Sequence, residues 1–105
     1  MAIQATVSIA NNVISVTPDP LPVSGNNINI HWDISTPGWT FPSNGIVITN
    51  PGSEFEDPEV QNNGNRFKWK DKNSSAGNYK YAINVTNGST PLSLDPTIIN
   101  QATLK

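Results

Sequence analysis

Alternation of apolar and polar residues with period two, repeated along most of the chain, is the feature that most limits what this sequence can become. Ile3, Ala5, Val7 and Ile9 alternate with Gln4, Thr6 and Ser8. Ile28, Ile30, Trp32 and Ile34 alternate with Asn29, His31 and Asp33, and Tyr79, Tyr81, Ile83 and Val85 with Lys80, Ala82 and Asn84. In an extended strand such alternation sends one set of side chains to each face. No window places apolar residues at helical spacing over three turns, so the sequence reads as all-β.

Turn chemistry divides these runs. Asn11-Asn12 interrupts the first, and Val13 to Val16 resumes an extended run. Pro18, Pro20 and Pro22 lack the amide donor that an interior ladder position needs. That stretch is therefore expected at a sheet edge or at a crossing between sheets. A Pro/Gly-rich loop over residues 36–45 carries Trp39 and Phe41, and Ile46 to Thr49 reads as a short, buried strand. Residues 54–70 read as a hairpin. An acidic arm (Glu54, Glu56, Asp57, Glu59) and a basic arm (Arg66, Lys68, Lys70) flank Asn62-Asn63-Gly64-Asn65. Asn-Gly favours a tight hairpin turn because both central residues take positive φ. Pairing the arms sets opposite charges across from one another, with Phe67 and Trp69 facing inward. Asn87-Gly88 marks a further turn, into Pro91 to Leu94. Residues 95–105 are expected as an edge strand or a frayed tail. About seven or eight short strands at this spacing imply a sandwich or a barrel, and residues 1–105 form one domain.

Bulk properties exclude several functions. The formal charge is −2 and the pI near 5.0, which argues against a nucleic-acid or anionic-membrane partner. The absence of cysteine removes disulfides, thiolate nucleophiles and thiolate metal sites. No apolar run reaches transmembrane length, and the start, Met1-Ala2-Ile3-Gln4, lacks the basic and apolar segments of a signal peptide. The default expectation is a cytoplasmic protein, or an extracellular one if a leader has been removed.

Ala76, Gly77, Tyr79 and Tyr81, following the basic arm, resemble the E-to-F corner of immunoglobulin-like domains. In those domains a small residue and a Gly or Ala precede a tyrosine that stands two positions before a cysteine. The resemblance implies that Tyr79 is the corner tyrosine, its hydroxyl bonded to upstream backbone, and that Tyr81 fills the cysteine position. Read together with Trp32, the same Gly-x-Tyr-x-Tyr run is similar to the last strands of cupredoxins. Ala82-Ile83-Asn84-Val85 follows it, and the only His and Met are His31 and Met1, so a blue-copper ligand set cannot be assembled. Over residues 23–94 the resemblance implies a Greek-key β-sandwich, immunoglobulin-like or cupredoxin-like. It is similar to the metal-free domains of this kind in bacterial proteins.

No catalytic residue, metal ligand or cofactor is expected. His31 lies about 7 Å from Asp33 along one strand face, too far for a designed pair, and no Gly-x-Ser-x-Gly elbow supplies a nucleophile. A calcium site would draw on the acidic arm with Asp71 and Asn73. The Asp-x-Asp-x-Asp-Gly loop is missing, and cross-strand pairing already accounts for the charges. Two surfaces are candidates for binding. The loop with Trp39, Phe41 and Asn44 either caps the sandwich or presents rings and an amide to a carbohydrate. The cations Arg66, Lys68, Lys70 and Lys80, with Lys72 beside them, form either a docking face for an acidic partner or a solvated strand face that blunts aggregation. The expected role is a non-catalytic interaction or structural domain, with a protein partner or a second copy of itself. A carbohydrate-binding module is the alternative, and a degenerate cupredoxin-like domain without metal is a further one. Asn73, Asn84 and Asn87 stand in Asn-x-Ser/Thr triplets, as an Asn-rich chain produces by chance.

Overall fold

The computed structural model describes residues 2–101. Ten strands form two sheets: β1 (Ala2–Ala10), β2 (Val13–Thr17), β3 (Leu21–Ser24), β4 (Ile28–Ile34), β5 (Ile46–Ile48), β6 (Phe55–Gln61), β7 (Arg66–Asp71), β8 (Gly77–Thr86), β9 (Pro91–Leu94) and β10 (Thr97–Gln101). One sheet has the order β2-β1-β4-β7-β6, the other β3-β10-β8-β5, with β9 also paired to β8. Each sheet contains one parallel pair, β1 with β4 and β3 with β10. The remaining pairs are antiparallel. The fold is an all-β sandwich.

The alternation read from the sequence sets the inner faces. Ala5, Val7, Ile28, Ile30, Trp32 and Phe67 from the first sheet meet Leu21, Val23, Tyr81, Ile83, Val85 and Ile98 from the second, all with at most 1% of their surface exposed. At the centre the Trp32 indole donates to the Tyr81 hydroxyl at 3.1 Å, with ring centroids 5.3 Å apart. Burying rings of this size stabilises the fold by an upper bound of about 4–6 kcal/mol each. The shared hydrogen bond removes the cost of taking both polar tips out of water. Burial raises the Tyr81 hydroxyl far above its ordinary pKa, against the lowering effect of the Trp32 donor, so it stays neutral at every ordinary pH.

Several local expectations change. The Pro18-Pro20-Pro22 stretch is both an edge and a crossing: β2 ends one sheet and β3 begins the edge of the other. Val47 of β5 is 45% exposed, so that strand is buried on one face only. The β6–β7 turn is wider than a two-residue hairpin, with Asn62, Asn63 and Gly64 all at positive φ in a single 3-10 turn. The edge-strand expectation for residues 95–105 is overturned for β10, which lies between β3 and β8. Residues 102–105 of that stretch fall outside the described residues. β9 and β10 keep one register against β8, and the Tyr81 amide donates to the Pro96 carbonyl between them. They behave as one long strand broken at Asp95-Pro96, which brings the strand number nearer to the expected one.

Tyr79 does not make the corner bond that the immunoglobulin-like resemblance implies. Its ring packs edge-on against Phe55, centroids 4.8 Å apart, and its hydroxyl bonds no upstream backbone among the described residues. Tyr81 does fill the space between the sheets, against Trp32.

Candidate functional site

Three regions hold the side chains that the sequence singled out or that the fold brings together. The first is the loop between β4 and β5. Its Thr40 bridges to Thr86 of β8, and its Phe41 amide donates to Gly64 at the β6–β7 turn, so the loop is tied to both sheets. Two glycines permit the close approach. A Cβ on Gly45 would stand 2.7 Å from the Phe41 Cβ, and one on Gly64 would stand 2.9 Å from the Thr40 Cβ. Phe41 packs edge-on against Phe67 at 5.8 Å. Trp39 and Phe41 are 9% and 4% exposed and belong to the core. Of the two expectations for this loop, the rings follow the cap: both are turned inward and close this end of the sandwich. Asn44 is exposed, but the loop uses its main chain, whose carbonyl accepts from the Asn84 amide at 2.7 Å.

The second region is the outer face of the β2-β1-β4-β7-β6 sheet. Register aligns Gln4, His31, Lys68 and Glu59 in one row, Thr6, Asp33, Arg66 and Gln61 in a second, and Asn29, Lys70 and Glu56 in a third. Arg66 grips Asp33 through two nitrogens, at 2.6 and 3.1 Å, and Gln4 also donates to Asp33. Lys70 and Lys72 both approach Glu56, and Lys68 approaches Glu59 at 3.9 Å. The expected pairing of the hairpin arms thus holds for Glu56 and Glu59, while Arg66 finds its carboxylate on β4 instead. Lys80 does not join this face. It lies on β8 in the other sheet, outward, with its ammonium on the Asp95 carbonyl at 3.3 Å. The four-cation docking face is corrected to three cations, Arg66, Lys68 and Lys70, with Lys72 at its edge.

His31 sits in this array between Gln4 and Lys68. Partial burial and the charge of Arg66 lower its pKa, against the raising effect of Asp33. It bonds neither a carboxylate nor a hydroxyl nucleophile among the described residues. No pocket opens among the described residues, and none of them gather three or more His, Asp or Glu side chains.

The third region is the far end of the sandwich, where Glu54, Asp71, Asn73 and Asn100 are buried polar side chains. Glu54 Oε2 accepts the Ser74 and Ser75 amides at 2.9 Å each and the Asn100 amide at 3.1 Å; its Oε1 accepts the Ser74 hydroxyl at 2.5 Å. Burial pushes this carboxyl up, but those four donors outweigh it and hold the pKa below its ordinary value. Asp71 Oδ1 accepts the Asn73 backbone amide at 2.8 Å and the Asn100 side chain at 3.1 Å. Asn73 Nδ2 donates to the carbonyls of Val23 and Gly25, pinning β3 to the loop after β7. Burial, with the charge of Glu54, raises Asp71 to about 6 against those two bonds. Asp71 Oδ2, Asn73 Oδ1 and Asn100 Oδ1 are buried with no hydrogen-bond partner among the described residues. Of the acidic arm, Glu54 alone reaches this cluster. Asn73, one of the three glycosylation triplets, is fully enclosed.

Sequence reasoning missed the cluster as a unit because Asn100 lies in a stretch read as a tail. A signal was present: Asp71 shares the inward phase of Phe67 and Trp69, and Asn100 that of Ile98, so each is a polar residue on an apolar phase. No protein-family model matches the chain, and no curated protein matches it in sequence. Among the described residues no helix is long and apolar enough to cross a membrane.

Proposed function

We propose that the chain is a non-catalytic interaction domain, a cupredoxin-like sandwich without copper ligands, which docks a protein partner through the outer face of its β2-β1-β4-β7-β6 sheet. The observation that carries this reading is the set of aligned rows on that face, where the bases of β7 lie between the acids of β4 and β6 and the neutral polar residues of β1 extend two of the rows. Such a face offers directional polar contacts that favour a complementary partner and suppress others. The opposite outer face carries Lys80, Ala82, Asn84 and the exposed Val47 and offers no comparable array. Edge pairing is disfavoured at β3, β5 and β6, since β3 and β5 have four and three residues and β6 is kinked by Asp57 at φ 59 before Pro58. The two parallel pairs support the cupredoxin-like alternative over the immunoglobulin-like one, whose sheets are antiparallel.

The test compares wild type with the double variant Lys68→Glu, Lys70→Glu. Light scattering after size exclusion reads self-association, and the immobilised chain against host extract reads a heterologous partner. The expected result is a defined complex lost on charge reversal. A strict monomer that retains nothing, or a complex indifferent to the reversal, overturns the reading, as does substrate turnover by pure protein that is lost in His31→Ala.

A further inference from the structure

Two buried carboxylates, Glu54 and Asp71, stand at the same end of the core, joined through one amide nitrogen of Asn100. Neither has a Lys, Arg or His within ion-pair distance among the described residues, whereas Asp33, Glu56 and Glu59 on the outer face all do. An enclosed anion without a counter-charge is costly, and the cost rises for two that face one another. The orientation of both amides is set by their donors: Asn73 Nδ2 is used by two backbone carbonyls, Asn100 Nδ2 by two carboxylates. Exchanging oxygen for nitrogen in either would oppose acceptor to acceptor. The amide oxygens therefore stay as acceptors, and with Asp71 Oδ2 they make three enclosed oxygens that lack a donor among the described residues.

We propose that this end of the sandwich is a calcium site, with Asp71 Oδ2, Asn73 Oδ1 and Asn100 Oδ1 as its ligands and Glu54 as the second carboxylate that balances the charge. The donor set selects the metal. All the available atoms are hard oxygens, from carboxylate and amide carbonyl, and there is no imidazole or sulfur to favour zinc or copper. Calcium accepts such mixed oxygen sets in irregular geometry, with water completing the shell. Magnesium dehydrates reluctantly and demands a strict octahedron, which suits an enclosed set of side chains poorly. The residues come from three separate places, the end of β7, the loop after it, and β10. A bound ion would therefore tie the two sheets together at this end, beside the Phe55–Tyr79 ring pair. This site is independent of the docking face, so either proposal can fail alone.

The probe is Ca2+ itself, added to the full chain after treatment with EDTA. Titration calorimetry and thermal unfolding are read up to about 10 mM, well beyond the roughly 10⁻⁴–10⁻³ M affinities of weak extracellular modules. The expected result is saturable uptake of one ion. The accompanying rise in Tm is at least about 5 °C at ten times Kd, with a smaller response to Mg2+. Asp71→Asn should weaken uptake at least tenfold, while Asp57→Asn, an exposed carboxylate on the hairpin, should leave it unchanged. Terbium luminescence excited through the tyrosines gives a second readout on wild type alone: sensitised emission should saturate and be displaced by Ca2+. No heat, no Tm change and no sensitised emission from wild type, as expected if a buried water fills the space, overturns the proposal. Equal uptake by a folded Asp71→Asn chain overturns it too.

Discussion

At one end of the sandwich Trp39, Phe41 and Phe67 close the gap between the sheets with rings; at the other, Glu54, Asp71, Asn73 and Asn100 close it with hydrogen-bonding groups. Both devices span the two sheets. The ring end joins β8 to the β6–β7 turn through the backbone of Thr40 and Phe41. The polar end joins β3, β7 and β10 through side chains. The physical difference lies in how each tolerates error. A ring packed against a ring loses contact area in proportion to what is removed. A buried carboxylate loses little while every donor is present and a great deal once one is withdrawn.

The comparison breaks most sharply if the ring end is emptied. Phe41→Ala removes a ring that touches Phe67 and leaves a void beneath Trp39's loop, at an expected cost of about 3–5 kcal/mol in urea unfolding. A loss below about 1 kcal/mol would mean that this end is held by the backbone bonds of Thr40 and Phe41 alone.

Acidity acts at the opposite end. In the chain freed of divalent ions, Asp71 titrates near 6 when folded and near 3.8 when unfolded, raised by burial and by Glu54, with Tyr79 as the other titratable group nearby. A raised carboxyl favours the folded state while it keeps a proton that the unfolded chain has lost. Its contribution is therefore full below pH 3.8 and is lost as pH rises through about 6, for a total of roughly 3 kcal/mol at about 1.4 kcal/mol per unit. Glu54 has the opposite sign, because its lowered pKa gives stability that disappears as the pH falls below 4.5. Chemical unfolding across pH 3 to 8 checks both, and Asp71→Asn should flatten the limb above pH 4 only.

How far these two ends could be read in the sequence differs for physical reasons. Strand faces were legible, since alternation is local: Ile28 to Ile34 and Tyr79 to Val85 point where their period says. Charge pairing of Lys68 and Lys70 followed from hairpin register. Whether Trp39 turns in or out was not legible, because it depends on Gly45 and Gly64 letting the loop approach Phe67 and Thr40 from afar. The place of β10 was hidden too, since its partner β3 lies far back in the chain and the pairing is parallel. The polar end inherits that difficulty. Asp71 and Asn73 were visible, but the group that joins Asp71 to Glu54 sits on a strand whose position only the tertiary fold decides.

Asn100→Leu sharpens the account of that joint. The substitution keeps the branched shape and the number of side-chain heavy atoms, with somewhat more bulk, but withdraws one donor from each carboxylate, so a loss of about 1–3 kcal/mol is expected. A neutral or stabilising result would show that the cluster gains nothing from its amide and is an apolar plug in disguise.

The smallest expected effect returns to the ring end. Asn44 is exposed, and the bond that fixes its loop runs from the Asn84 side chain to the Asn44 carbonyl, a main-chain group that any residue supplies. Asn44→Ala should therefore change stability by less than about 0.5 kcal/mol, as surface substitutions without a special role do. Asn84→Ala removes the donor itself and should cost more, because the carbonyl then relies on water. If the order of the two were reversed, the Asn44 side chain would be holding the loop, and the ring end would depend on a polar group as its opposite does.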